Sequence, residues 1–246
     1  MKLYGLVGFP LGHSFSKIYF TEKFSLERID ARYNLYELKD IHEFTSLKIT
    51  KDLCGLNVTI PYKQQIIPFL NEMDETAAEI GAVNVIKFIR NGHDLILKGY
   101  NSDVIGFRKS IQPHLKHNHT KALILGTGGA SKAIEYALRK MGLEVKLVSR
   151  NSVQNQFSYN DLNKEILSEY TVLANASPVG MYPNVSECPD IPYEELTADH
   201  LLFDAVYNPE ETLFLRKGKE KGAVTLNGKE MLIGQAEAAW EIWEAP

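Results

Sequence analysis

Five polar side chains lie at the ends of predicted β-strands or in the loops next to them. Lys63 ends the segment GLNVTIPYK, Asp103 lies in GYNSDVIG, Asn84 lies in GAVNV, and Ser14 and Ser16 lie in GHSFS. Open α/β sheets bind ligands beyond the carboxyl ends of their strands. If these side chains converge, they form a cleft that could bind several hydroxyls and a carboxylate of one small molecule.

Each of these residues also has an ordinary structural explanation. Ser16 could cap a helix, Asn84 could be a turn residue, and Lys63 and Asp103 could be solvated surface charges. Taken one at a time, the structural explanations are the more common ones. Only the shared placement of the five residues at strand and loop ends favours a binding site.

The glycine-rich segment LILGTGGASKA is a second candidate site. Its residues Gly126, Gly128, Gly129 and Ala130 lie between a predicted strand and a predicted helix. Glycine allows a tight turn and a close approach of a pyrophosphate to the backbone, and the helix N-terminus offers free N–H groups. Ser131 replaces the usual third glycine and is small enough for close helix packing. A simple tight turn is the alternative, but the strand and helix on either side favour a dinucleotide.

The end of the next predicted strand indicates which dinucleotide is bound. NAD-binding units usually place Asp or Glu here, where the carboxylate accepts hydrogen bonds from the ribose 2′-hydroxyl. This strand ends instead in Ser149, Arg150 and Asn151. A guanidinium group suits a 2′-phosphate, whereas a carboxylate would repel it. The sequence therefore favours NADP over NAD, with a solvated surface arginine as the ordinary alternative.

Short apolar runs that alternate with amphipathic segments predict an α/β fold with two lobes. The run KALILG, the amphipathic segment ASKAIEYALRKMG and the run LEVKLVSR form a βαβ unit, which implies a parallel sheet covered on both faces. We expect a Rossmann-like NADP-binding domain over residues 105–225. Residues 1–104 and 226–246 would form an α/β substrate-binding and catalytic domain, to which the C-terminal helix returns.

The composition of the 246 residues excludes several classes of protein. The net charge of −4 gives no basic field that would attract nucleic acid. The N-terminal segment has one lysine and an apolar run interrupted by Gly and Pro, so we expect neither a signal peptide nor a membrane span. Two cysteines outside any CxxC motif predict a reducing, cytoplasmic location. The segment HLKHNH has no Cys or acidic cluster beside it, so we expect a loop and no bound metal.

Eight segments, taken in order, resemble the signature segments of the shikimate dehydrogenase family. They are GFPLGHSFS, GLNVTIPYK, GAVNV, GYNSDVIGF, GTGGASKA, NASPVGM, VYNP and GKEMLIGQAEAAWEIW, and they span nearly the whole chain. The most specific are NVTIPYK, NSDVIGF and the terminal GQAEAAWEIW. The resemblance implies the reversible reduction of 3-dehydroshikimate to shikimate by NADPH.

The resemblance also implies a role for each residue that matches a family motif. Lys63 and Asp103 would be the catalytic pair, with the lysine as acid and base. Substrate would be bound by Ser14 and Ser16, which hold its carboxylate, and by Thr59, Asn84, Tyr207 and Gln235. The nicotinamide pocket would be lined by Gly228 and the segment around Ala205. We therefore expect small-molecule partners, no nucleic acid and no membrane, and a monomer or homodimer.

The chain departs from the family pattern at a few positions. Lys17 stands where the family has proline, Val85 where it has threonine, and Ser102 where it has the threonine of NTD. Two alternatives therefore stay open: a related enzyme that prefers quinate or NAD, and a non-catalytic ligand sensor that keeps the fold. The presence of both Lys63 and Asp103 argues against the sensor, because a sensor does not need both.

Overall fold

A computed structural model describes residues 1–12, 14–92, 94–151 and 153–246. The chain divides into two compact units, which we call the first unit (Met1–Ser102 with Ala236–Pro246) and the second unit (Asp103–Gln235). Each unit contains its own six-stranded sheet. The predicted α/β class is confirmed, whereas the assignment of substrate and cofactor to separate domains stays a prediction.

The first unit is built from six strands and three helices before the chain enters the second unit. In chain order they are β1 (Lys2–Gly8), α1 (Phe15–Leu26), β2 (Ala31–Glu37), α2 (Phe44–Leu47), β3 (Leu53–Val58), β4 (Glu72–Met73), α3 (Glu75–Ile80), β5 (Val85–Asn91) and β6 (Asp94–Tyr100). Short 3₁₀ turns at Ile41–Glu43 and Ile67–Phe69 complete the connections. The strands β5 and β6 pair antiparallel.

The strand order in this sheet brings several loop residues to one edge. The order is β2-β1-β3-β5-β6-β4, with β1 parallel to β2 and β3, and β5 antiparallel to both β3 and β6. The carboxyl ends of β1, β3 and β6 therefore lie at the same edge as the amino end of β5. We call this edge the first edge. The chain leaves β3 towards Thr59 and enters β5 from Asn84 at this edge.

The first turn of α1 corrects one expectation. Ser14, in extended conformation, caps the helix: its hydroxyl accepts a hydrogen bond from the Lys17 backbone N–H at 3.3 Å. Ser16 lies one residue inside the helix and is buried. A cap needs a non-helical backbone, and the residue with that backbone is Ser14, so the alternative explanation of Ser16 as a cap was wrong.

Aromatic side chains from β1, α1 and the C-terminal helix α8 (Lys229–Glu244) pack on one face of the first sheet. Trp243 is buried and donates its indole N–H to the Ile86 carbonyl at 3.1 Å. Tyr4 contacts the rings of both Trp240 and Trp243. Trp243 therefore lies in the core of the first unit, and the partly buried Trp240 packs against it.

The second unit has the strand order of a doubly wound sheet. Its elements are α4 (Asp103–Ile111), β7 (Lys121–Leu125), α5 (Gly129–Lys140), β8 (Glu144–Ser149), β9 (Phe157–Ser158), α6 (Lys164–Glu169), β10 (Val172–Asn175), β11 (Leu201–Asp204), α7 (Leu213–Glu220) and β12 (Val224–Leu226). The order is β12-β11-β10-β7-β8-β9, and each adjacent pair is parallel. The direction of winding reverses between β7 and β10, and the carboxyl ends of these two strands open a crevice there.

Candidate functional site

Lys63 is placed by a turn that follows β3 at the first edge. The Thr59 backbone N–H donates to the Val7 carbonyl at 2.8 Å, and the Tyr62 N–H donates to the Thr59 carbonyl at 2.9 Å. The Lys63 carbonyl accepts a hydrogen bond of 2.7 Å from the Val83 N–H. Because Val83 directly precedes Asn84, this bond brings the backbones of Lys63 and Asn84 to the same place in the first unit.

Asn84 is a buried amide that holds the connection after β6. Its Oδ1 accepts from the Ser102 N–H at 2.7 Å, and its Nδ2 donates to the Ser102 hydroxyl at 3.0 Å. Its backbone carbonyl accepts from Val58 N–H at 2.8 Å. Asp103 is the next residue of the chain and the first residue of α4, where the helix dipole favours a carboxylate, and it is also buried. Asn84 therefore has a structural task that includes orienting the residue before Asp103.

Tyr33, Asn57 and Asn84 form a buried chain of polar groups that the sequence did not reveal. Burial raises the pKa of Tyr33, whereas the nearby Ser16 hydroxyl acts in the opposite direction. The Tyr33 hydroxyl donates to Asn57 Oδ1 at 2.8 Å, and Asn57 Nδ2 donates to the Asn84 carbonyl at 3.4 Å. Within the first unit, the structure thus connects Tyr33 with Asn84 through Asn57. The one signal in the sequence was a polar asparagine inside the otherwise apolar run LCGLNV.

The glycine loop of the second unit makes a tight turn between β7 and the first turn of α5. Gly126 has φ +110°, a left-handed conformation that favours glycine, and its N–H donates to the Val148 carbonyl at 2.9 Å. A Cβ at Gly128 would meet open space. Gly129 and Ala130 form the first turn of α5, where backbone N–H groups have no partner within the helix. The small Ser131 is buried and donates its hydroxyl to the Gly128 carbonyl at 2.5 Å.

A cavity of about 1020 Å³ lies at the carboxyl ends of β7, β8 and β10. Gly126, Gly128, Ser149 and Arg150 line it, together with Tyr159, which the sequence analysis did not single out. Burial raises the pKa of Tyr159, while the nearby Arg150 charge lowers it and the Asp190 charge raises it. The volume and the position at the reversal of the sheet suit a dinucleotide, and Arg150 gives the cavity a cation.

Among the residues that the structure describes, five predicted cofactor residues do not line this cavity: Gly129, Ala130, Asn151, Ala205 and Gly228. Asn151 donates its backbone N–H to the Ser149 hydroxyl at 3.3 Å. Ala205 and Gly228 are packed together, since a Cβ at Gly228 would lie 2.3 Å from the Ala205 carbonyl oxygen. Glycine at position 228 therefore permits the close approach of the chains after β11 and β12.

Tyr207 and Gln235, both in the second unit, occupy different environments. Tyr207 is 40% exposed in the loop after β11, so its ring could reach a ligand. Gln235 is buried within α8, and its Nε2 donates to the Leu232 carbonyl at 3.1 Å. Tyr207 and Gln235 belong to the second unit, whereas the other predicted substrate-binding residues belong to the first unit. That all of these residues converge on one ligand therefore stays a prediction.

Two further observations concern metal binding and membrane-spanning helices. Across residues 1–12, 14–92, 94–151 and 153–246, the structure has no group of three or more His, Cys, Asp or Glu side chains placed to hold a metal ion. Within the same described ranges, none of the helices combines the length and the apolar character needed to cross a bilayer.

Comparisons with known proteins agree on one family. Residues 6–86 match the model of the shikimate dehydrogenase substrate binding domain. The chain is 36% identical over 259 residues to the shikimate dehydrogenase (NADP(+)) of Methanosphaera stadtmanae, which covers 97% of this chain and 90% of the relative.

Solved structures give the same result over the whole length. The structure of shikimate 5-dehydrogenase from Thermus thermophilus in complex with NADP(H) and shikimate has a TM-score of 0.86, is 27% identical, and covers 99% of this chain and 94% of that one. Quinate dehydrogenase from Corynebacterium glutamicum, in complex with NAD, has a TM-score of 0.87 at 25% identity and covers 99% of this chain and 93% of that one. The structural similarity to each of these two enzymes thus extends across both compact units.

Proposed function

This chain belongs to the shikimate dehydrogenase family, and from that membership we propose that it catalyses the reversible, NADPH-dependent reduction of 3-dehydroshikimate to shikimate. The protein would be an oxidoreductase that acts on a CH–OH group, and the reaction belongs to the biosynthesis of aromatic amino acids. The similarity to NADP-dependent shikimate dehydrogenases over 97% of the chain is the observation that carries the proposal.

The cofactor is NADP, and the cavity of the second unit supports this assignment. When bound, NADPH supplies the hydride that reduces the ketone. The open space at Gly128 and the first turn of α5 would hold the pyrophosphate. Arg150 would pair with the 2′-phosphate, because its guanidinium lines the cavity at the end of β8, where NAD-binding units usually have a carboxylate.

The catalytic roles fall to Lys63 and Asp103. As the ketone is reduced, negative charge grows on its oxygen, and the Lys63 ammonium would stabilise that charge and deliver the proton. Asp103 would hold the ammonium in position and accept a hydrogen bond from the substrate. In the reverse direction Lys63 would take the proton from the shikimate hydroxyl.

The remaining polar residues would orient the substrate. Ser14 and Ser16 would bind its carboxylate, and Thr59, Asn84, Tyr207 and Gln235 would bind its hydroxyls and ring. The placement of Thr59 and Asn84 at the first edge, with Ser14 in the loop after β1, supports this proposal for the first unit. Binding by several such groups positions the reacting carbon, which accounts for a large part of enzymatic rate enhancement.

The test is an assay of purified protein with shikimate and NADP, in which formation of NADPH is followed by its absorbance. Lys63→Ala should lower kcat by about 10²- to 10⁴-fold, the usual contribution of a general acid–base group, with NADP affinity nearly unchanged. Lys51→Ala, an exposed lysine of the same unit, is the matched control and should keep wild-type turnover. Retained turnover in Lys63→Ala would remove this residue from the mechanism.

A quinate dehydrogenase that uses NAD is the second candidate. The observation in its favour is the TM-score of 0.87 with the C. glutamicum enzyme. Quinate has an additional hydroxyl at the carbon that carries the carboxylate, so the space beside Ser14 and Ser16 decides between the two substrates. The relative from M. stadtmanae, at 36% identity, favours shikimate and NADP.

The proposal also covers the location and assembly of the protein. The two cysteines, Cys54 and Cys188, are both free thiols, which supports a reducing, cytoplasmic compartment. We propose a monomer or a homodimer. Size-exclusion chromatography with light scattering measures the assembly directly.

A further inference from the structure

Two buried polar side chains face each other at the carboxyl ends of β10 and β11. Asn175 ends β10, Asp204 ends β11, and both are 0% exposed. Asn175 Nδ2 donates to Asp204 Oδ1 at 2.9 Å. A buried carboxylate needs hydrogen-bond donors, because an unpaired charge in the protein interior is costly. The presence of this pair in an otherwise apolar core therefore requires an explanation.

Asp204 is fully engaged by the second unit itself. Its Oδ1 also accepts from the Val206 N–H at 3.0 Å, and its Oδ2 accepts from the Thr212 hydroxyl at 2.6 Å. Thr212 in turn caps α7, since its hydroxyl accepts from the Leu215 N–H at 3.4 Å. Asp204 is not part of the cavity lining, so it would act on a bound nucleotide only through other residues.

Asn175 transmits the position of Asp204 to the cavity wall. Its Oδ1 accepts from both the N–H (3.1 Å) and the hydroxyl (2.7 Å) of Ser177, and its Nδ2 also donates to the Val179 carbonyl at 3.3 Å. Ser177 and Val179 line the cavity, next to Gly126. The amide can make these contacts in one orientation only, because its oxygen must face Ser177 and its nitrogen must face Val179.

We propose that Asp204 is a positioning residue for the dinucleotide: by accepting from Asn175 Nδ2, it fixes the amide whose other bonds hold the Ser177–Val179 wall of the cavity. This inference rests on the proposed function, because it requires that the cavity binds NADP. Without Asp204 the amide keeps its bonds to Ser177 and Val179 but loses the bond that anchors it to the end of β11, so the wall is held less rigidly. Preorganisation of this kind is what supporting residues give to a binding site.

The experiment measures the Kd of NADP for wild-type protein and three variants by calorimetry, together with their melting temperatures. Asp204→Ala removes the acceptor and should raise the Kd about tenfold, the effect of one lost buried hydrogen bond. The KM for NADP should rise accordingly, while kcat at saturating NADP and the KM for shikimate change little. Asp204→Asn should bind nearly as wild type, because its oxygen can face Asn175 and its nitrogen can donate to the Thr212 hydroxyl.

Thr212→Val is the matched control for a purely structural effect. It removes another hydrogen bond of the same carboxylate and the cap of α7, so it should lower the melting temperature, yet it leaves the bond to Asn175 intact and should leave the Kd unchanged. If Asp204→Ala does not fold, Asp204→Ser replaces it: the serine hydroxyl can still accept from Val206 but is too short to reach Asn175.

The outcomes separate this role from the proposed function. Wild-type affinity in the folded Asp204→Ala or Asp204→Ser protein would overturn the positioning role alone, as would an equal loss of affinity in Thr212→Val. Wild-type protein that binds neither NADP nor NAD would overturn the proposed function and this inference with it.

Discussion

Arg150 is the residue to which we assign the choice of NADP over NAD. It stands at the end of β8 and lines the cavity, and its charge acts on Tyr159 across the same space. The acidic residues that also line this cavity, Glu187 and Asp190, come from the long connection before β11 and not from the end of β8. The charged residue that follows β8 on the cavity wall is therefore a cation.

Replacement of Arg150 tests this assignment. Arg150→Ala should lower kcat/KM for NADP by about 10- to 100-fold, since hydrogen bonds to charged groups contribute about 1.5–3 kcal/mol. The kcat/KM for NAD should change little, because NAD has no 2′-phosphate. Arg216→Ala, an exposed arginine of α7, is the control. An equal loss for both cofactors would show that Arg150 supports the fold or the pyrophosphate and not the 2′-phosphate.

Among elements, the contact of α8 with β3 decides how the C-terminal helix packs in the first unit. Gly55 lies in β3, and a Cβ at this position would lie 2.3 Å from Trp243 Nε1. Trp243 also donates to the Ile86 carbonyl of β5. The absence of a side chain at Gly55 thus lets the indole lie directly on the sheet.

Gly55→Ala should destabilise the protein by about 1–3 kcal/mol, the usual cost of overpacking a core. The cost should be smaller in a Trp243→Leu background, because the smaller side chain vacates the space that the new methyl group needs. Gly12→Ala, where a Cβ would meet open space, should change stability by less than about 0.5 kcal/mol. Denaturant unfolding of wild type, Gly55→Ala, Trp243→Leu and the double variant measures the coupling between positions 55 and 243. Strictly additive losses of stability would contradict the contact.

The elements that the sequence predicted are those with strong local signals. The β7–α5–β8 unit was predicted because an apolar run, a glycine turn and an amphipathic segment follow one another within a short stretch. The strand β9, Phe157–Ser158, was not predicted, because two residues carry no periodicity and pair with β8 only through the fold. Ser14 and Ser16 are both plausible caps by residue type, and only the backbone conformation distinguishes them.

In the candidate site, too, the residues with a local signal in the sequence were predicted and those without one were not. The residues of the glycine loop and Arg150 were predicted because their chemistry is visible in the residue type and in the elements beside them. Asp204, Asn175, Tyr33 and Asn57 were not predicted, because each has a role only through a partner that is distant along the chain. The roles of Lys63 and Asp103 came from the family resemblance and stay a prediction until variants are measured.

For the molecule as a whole, the buried Asp204 should make stability depend on pH. Burial raises its pKa from 3.8 to about 6, although Thr212, Val206 and Asn175 act in the opposite direction. Between these two values the folded state binds more protons than the unfolded state, so the free energy of unfolding falls as pH rises. The contribution is fully present below about pH 4 and is lost as pH rises through 6.

Asp204→Asn removes this titration and serves as the reference. The free energy of unfolding of wild-type protein minus that of Asp204→Asn should fall by about 2.4 kcal/mol between about pH 4 and pH 7. Denaturant titrations at several pH values measure the difference, in which the other titrating groups cancel. A difference that stays constant or rises with pH would contradict the raised pKa.

The most direct measurement of the central claim compares kcat/KM of purified protein for the four pairs of shikimate or quinate with NADP or NAD. We expect the highest kcat/KM for shikimate with NADP, a lower kcat/KM when either the substrate or the cofactor is exchanged, and the lowest for quinate with NAD. Turnover that is fastest with quinate or with NAD would contradict the assigned specificity. If the protein bound shikimate and NADP but turned over none of the four pairs, the result would contradict the proposal that it is an enzyme.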